Sequence, residues 1–116
     1  MSAQDLAIIA NEMRSEVLRM VSTAGAGHIA GPLSAAELVT ALYLAEGMKH
    51  DPSNPWDEER DRVILSCGHY VPIQYAVLAK MGYYPRELLE RYMQIGGLPG
   101  HPERRSHPGI EATTGS

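Results

Sequence analysis

Apolar residues near the start of the chain fall on one helical face. Leu6, Ile9, Met13, Val17 and Met20/Val21 recur at three- and four-residue steps, the spacing that lines one side of an α-helix. Ser2-Ala-Gln-Asp5 precedes them in the form of a helix cap, with an acidic residue in the first turn where the helix dipole favours it. The pattern predicts a helix over about residues 3–22, ended by Thr23-Ala-Gly-Ala-Gly27. A second helix is predicted from Ser34-Ala-Ala-Glu37, which reads as a capping box. Leu38, Leu42 and Ala45 would form its buried face, and Gly47 its stop.

Beyond Gly47 the periodicity changes. Residues 48–60 hold two prolines and several acidic residues and read as a surface connection. Arg62-Val-Ile-Leu-Ser66 is a short continuous apolar run, which fits a parallel strand buried on both faces. Pro72 sits in the first turn of a third predicted helix that runs to about Met81 and stops at Gly82. Pro85 opens a short fourth helix to about Met93, and residues 95–116 show no periodicity. This inventory is unbalanced. One buried strand with no partner leaves its backbone amides and carbonyls unsatisfied, so the expectation is an α/β fold of which this chain supplies only a part.

Length and composition narrow the function. A chain of 116 residues suits one domain or a piece of one, and at that size roughly two-thirds of the unfolded surface can be buried. The net charge of −4 argues against nucleic-acid binding, which uses a basic stripe. No apolar run is long enough to cross a bilayer, and no basic-then-apolar leader opens the chain; the expected compartment is the cytoplasm. The single cysteine, Cys67, excludes an internal disulfide and a multi-cysteine zinc site, and is expected to be a buried or inert thiol. Asp57-Glu-Glu59 and Asp61 read as a solvated acidic surface, and His101-Pro-Glu-Arg-Arg-Ser-His107 as a polar loop that could also meet an anion.

Three histidines share one setting. Gly27-His28, Gly68-His69 and Gly100-His101 each place an imidazole in a loop directly after a glycine, where backbone can approach a ligand closely. Imidazole donates to phosphate oxygens and shuttles protons near neutral pH. A histidine in such a turn can also be a simple cap, but three in the same setting point to a shared anionic site. Dinucleotide, Walker, nucleophile-elbow and zinc-helix motifs are all absent or wrongly spaced.

Four motifs then occur in one order: Gly25-Ala-Gly-His-Ile-Ala-Gly-Pro-Leu-Ser34, Asp61-Arg-Val-Ile-Leu-Ser-Cys-Gly-His69, Leu98-Pro-Gly-His-Pro-Glu103 and Pro108-Gly-Ile-Glu-Ala-Thr-Thr-Gly-Ser116. The chain resembles, over nearly its whole length, the start of the transketolases, and most of all the split type whose diphosphate-binding domain is a separate N-terminal subunit. The resemblance implies part of a thiamine-diphosphate-dependent, magnesium-requiring enzyme that moves a two-carbon ketol unit between sugar phosphates. It implies His28 and His101 as catalytic residues at the substrate hydroxyls, with His69, His101, Gly115 and Ser116 as cofactor contacts. The implied partner is a pyrimidine-binding domain or C-terminal subunit, in a homo- or hetero-oligomer.

Two positions depart from the family pattern, Ile29 where proline is usual and Tyr70 where a small residue is usual. The family's Leu-Gly-Gln-Gly continuation would begin right after Ser116, and its Gly-Asp-Gly…Asn metal motif later. Magnesium ligands are therefore expected outside this segment, and the segment alone is expected to be inactive. Two alternatives stay open from the sequence: a truncated module that docks on a partner without catalysis, and part of a deoxyxylulose-phosphate-synthase-like enzyme.

Overall fold

The computed structural model describes residues 1–45 and 47–115. Helix α1 spans Ala3–Ala24, opened by a reciprocal cap in which the Ser2 hydroxyl accepts the Asp5 amide and the Asp5 carboxylate accepts the Ser2 amide. Gly25, left-handed at φ 70°, closes it. The buried residues of α1 are Ala10, Met13, Val17, Met20 and Val21, so the predicted face is correct with Leu6 and Ile9 at its half-buried edge.

The next predicted helix is two. A short α2 covers Ala30–Ser34, and α3 covers Ala36–Leu44. Ser34 does not cap α3; it ends α2, and its hydroxyl donates to the Gly31 carbonyl at 2.9 Å. The buried face of α3 also differs from the expectation: Ala36, Val39, Thr40 and Tyr43 face inward, while Leu38 is 71% exposed and Leu42 47%. The helix is apolar around most of its circumference, so periodicity did not select a side; contact with α1 and with the central helix did.

That central helix, α4, spans Val71–Met81 between Pro72 in its first turn and Gly82 at its end, as predicted. Every residue from Val71 to Leu78 is buried, which explains its lack of an amphipathic stripe. Two polar pairs lie inside: Gln74 donates to the Tyr43 hydroxyl at 2.8 Å, and the Tyr84 hydroxyl donates to the Tyr75 carbonyl at 2.8 Å. The predicted fourth helix is a 3₁₀ helix, Arg86–Arg91.

The predicted strand is not formed. Residues 62–65 have no regular secondary structure, and no strand occurs among the described residues, so the sheet half of the α/β expectation has no counterpart here. A strand exists only through pairing, and what lies beside this segment is the tail, whose Thr114 hydroxyl donates to the Leu65 carbonyl at 2.7 Å. Ile64 is left 59% exposed. Leu42, Ala45, Met48, Asp61, Arg62 and Val63 line a groove of about 550 Å³ along the same side.

Candidate functional site

The three Gly-His loops converge. His28 lies in the turn between α1 and α2, His69 in the 3₁₀ turn Gly68–Tyr70 that leads into α4, and His101 in the loop after the second 3₁₀ helix. The His28 and His69 rings stack, with centroids 4.0 Å apart and planes 15° from parallel. His101 stands 4.7 Å from His69 and 6.0 Å from His28, tilted to both. Among the described residues no side-chain hydrogen bond occupies these three rings; the bonded histidines are His50 and His107. His69 is half-buried, and its pKa lies below the ordinary 6.5, first because burial penalises the charged ring and then because His28 and His101 stand beside it. A neutral His69 at physiological pH keeps one nitrogen as donor and the other as acceptor.

Buried tyrosines hold two of the loops. A Cβ at Gly27, where φ is 120°, would come within 2.6 Å of the Tyr92 ring, so the His28 turn rests directly on Tyr92. Tyr75 meets Tyr92 edge-on at 6.3 Å and donates its hydroxyl to the Pro99 carbonyl at 2.6 Å, two residues before His101. Gly31 of α2 leaves room for the Tyr70 ring, which docks the helix after His28 against the turn that holds His69.

The tail closes the remaining side. The Gly68 amide donates to the Gly115 carbonyl at 2.7 Å, and a Cβ on Gly68 would stand 2.6 Å from that oxygen. At Gly115, by contrast, a Cβ would meet nothing within 4 Å. Ser116, the other cofactor contact implied by the resemblance, lies outside the described residues.

Sequence reasoning missed how the tail is anchored. Arg60 and Glu111 form a bidentate pair at 2.7 Å for both bonds, with side chains only 6% and 8% exposed. Arg60 also donates to the Asp57 carbonyl at 2.8 Å. Trp56 takes the Arg60 guanidinium at 5.3 Å and that of Arg105 at 4.7 Å. Glu111 sits inside a recognised motif, but its partner lies in a stretch whose charges read as solvated surface. Asp61 in that stretch is exposed yet engaged, exchanging bonds with Lys49. Cys67 is exposed, not buried, although Gly68 beside it is buried under the tail. Among the described residues no three His, Cys, Asp or Glu side chains are grouped to hold a metal ion.

Among the described residues the cluster therefore offers three imidazoles free of side-chain hydrogen bonds beside open backbone at Gly115. That arrangement can donate to anionic oxygens and hydroxyls and can relay protons near neutral pH. It suits one wall of a polar ligand site.

The sequence profile of the transketolase thiamine diphosphate binding domain matches residues 6–116, and the chain belongs to that family. Among its relatives, the 6-deoxy-6-sulfo-D-fructose transketolase subunit SqwG of Clostridium sp. (strain MSTE9) is 46% identical over 113 residues, covering 97% of this chain and 41% of that protein. The transketolase of Treponema pallidum is 40% identical and covers 99% of this chain and 18% of its own length. Transketolase structures from Leishmania mexicana and Campylobacter jejuni superpose with a TM-score of 0.88 each, at 35% and 36% identity, across 99% of this chain and 17% and 18% of theirs. The chain thus spans about two-fifths of the subunit and under a fifth of the full-length transketolases. No helix of the described residues is long and apolar enough to cross a membrane.

Proposed function

We propose that this chain forms the diphosphate-side wall of a thiamine diphosphate site in a transketolase-type enzyme. The enzyme would transfer a two-carbon ketol unit from a ketose phosphate to an aldose phosphate. The convergence of His28, His69 and His101 carries the reading, supported by family membership over residues 6–116.

The residues present fit the cofactor on one side. Free imidazole nitrogens suit phosphate oxygens and hydroxyls, and the open space at Gly115 admits a ligand against bare backbone. Thiamine diphosphate, when bound, supplies the nucleophilic carbon for ketol transfer. The chain's own residues hold and orient the reactants. His69 contacts the cofactor, and its lowered pKa keeps it neutral as a one-proton donor. His28 and His101 bind the substrate hydroxyls and take or return a proton there. Gly115 and Ser116 begin the backbone that lines the cofactor. Magnesium takes oxygen ligands, which residues elsewhere in the assembled enzyme would supply.

The α/β reading is completed in the same way. Exposed Leu38, Leu42 and Ile64, with residues 62–65 in no strand of their own, would pack against the remaining parallel sheet. Similarity to a protein whose name calls it a subunit supports the split arrangement, with the pyrimidine-binding half on a second chain.

The test is ketol transfer by the assembled enzyme, read with a coupled assay on a ketose phosphate donor and an aldose phosphate acceptor. His28→Ala and His101→Ala should each lower kcat/KM by about a hundredfold, and His69→Ala should weaken thiamine diphosphate binding. Wild-type kinetics and binding in all three variants would overturn the assignment. Failure of the chain to support transfer with any pyrimidine-binding partner would favour a module that docks without catalysis.

A further inference from the structure

Thr114 stands between two of the three histidine-bearing segments. Its hydroxyl donates to the Leu65 carbonyl at 2.7 Å, on the run that leads to His69. Its amide donates to the Pro102 carbonyl at 3.2 Å, the residue directly after His101. Neighbouring bonds continue the seam: the Arg104 amide donates to the Thr113 hydroxyl at 2.9 Å, and the Gly68 amide to the Gly115 carbonyl at 2.7 Å. Among the hydrogen bonds of the described residues, none joins 65–69 directly to 101–104. The tail is their only hydrogen-bonded link there, and it cannot slide, because Glu111 is locked on Arg60.

We propose that Thr114 is a positioning residue that clasps the His69 and His101 segments together and so sets the ring spacing of the histidine cluster. Three imidazoles within 4.0 to 6.0 Å of one another do not hold themselves together. Protonation of any one sets it against the next, so the spacing must be imposed by backbone. The seam imposes it from the tail side, as Tyr75 and Tyr92 do from within the core. Thr114 is half-buried and reaches the site only through the two loops. Its place in catalysis rests on the cofactor reading above; its effect on the cluster does not.

The two are separated by NMR titration of the histidines in this chain, alongside thiamine diphosphate binding and ketol transfer in the assembled enzyme. Thr114→Val removes the hydroxyl donor and keeps the amide, while Thr114→Ser keeps both. In the wild type, His69 should titrate below 6.5. In Thr114→Val its midpoint should rise toward that value, and kcat should fall by about tenfold through misplacement. Thr114→Ser should restore both, with amide spectra showing that each variant is folded. The clasp is overturned if Thr114→Val leaves the His69 titration as in the wild type, if Thr114→Ser fails to restore it, or if wild-type His69 titrates at its ordinary value. If the Thr114→Val titration moves while His69→Ala leaves cofactor binding and transfer intact, the clasp stands and the cofactor reading falls.

Discussion

The tail's approach to the His69 turn can be tested with two glycines that look alike in the sequence. Gly68→Ala adds a Cβ 2.6 Å from the Gly115 oxygen, 3.0 Å from that of Thr114 and 3.1 Å from the Gly115 carbonyl carbon. Ordinary contact begins at roughly 3.4 Å, so the tail must retreat by about 0.8 Å. The Gly68–Gly115 bond, 2.7 Å in the native chain, would then stretch to about 3.5 Å and be lost. A lost hydrogen bond costs about 1 kcal/mol and overpacking against backbone about 1–3 more, so the expected destabilisation is about 2–4 kcal/mol. Gly115→Ala meets no atom of the described residues beyond its chain neighbours within 4 Å and should change stability by less than about 0.5 kcal/mol. Urea unfolding measures both. Cofactor titration in the assembled enzyme should show at least about tenfold weaker binding for each, equivalent to about 1.4 kcal/mol, by tail displacement in one and direct obstruction in the other. An unchanged urea midpoint for Gly68→Ala would refute the close-approach argument, and unchanged cofactor affinity for Gly115→Ala would remove Gly115 from the site.

Other expectations concern the core and the titrating groups. The Thr40 hydroxyl is buried with no partner among the described residues, so Thr40→Val should raise stability by about 1 kcal/mol, seen as a higher urea midpoint at unchanged slope. Glu111→Gln leaves the Arg60 guanidinium buried without its counter-charge and should cost about 3 kcal/mol; loss below 1 kcal/mol by the same assay would show that solvent reaches the pair. His69 and His107 both have folded pKa values below 6.5, each first through burial. The unfolded chain therefore binds more protons as pH drops below 6.5, so stability declines from there to the depressed values and then levels off. Urea midpoints from about pH 7.5 to 5 should show that decline, with a smaller slope in His69→Gln.

Some of this architecture was legible because it is local. A serine three residues before an aspartate caps α1, and a proline and a glycine bracket α4, through bonds and dihedral preferences within one turn. The Gly-His pairs could be singled out as candidate site residues for the same reason. What marked them was the residue type and its immediate neighbour, not their distance in space. Ordered motifs then supplied the family, as the match over residues 6–116 shows.

The rest was decided by contacts between residues far apart in sequence. Leu38 and Leu42 have the right period for a buried face, yet Val39 and Tyr43 turn inward because α1 and α4 lie on that side. Arg62–Ser66 has the composition of a buried strand, yet pairing needs a neighbour that no local pattern supplies. The Arg60–Glu111 pair spans 51 residues and the Thr114–Leu65 bond 49. A sequence states which groups must find partners. Only closure of the chain on itself decides which partners they find, and that choice brings three separate histidines to within 4.0 to 6.0 Å of one another.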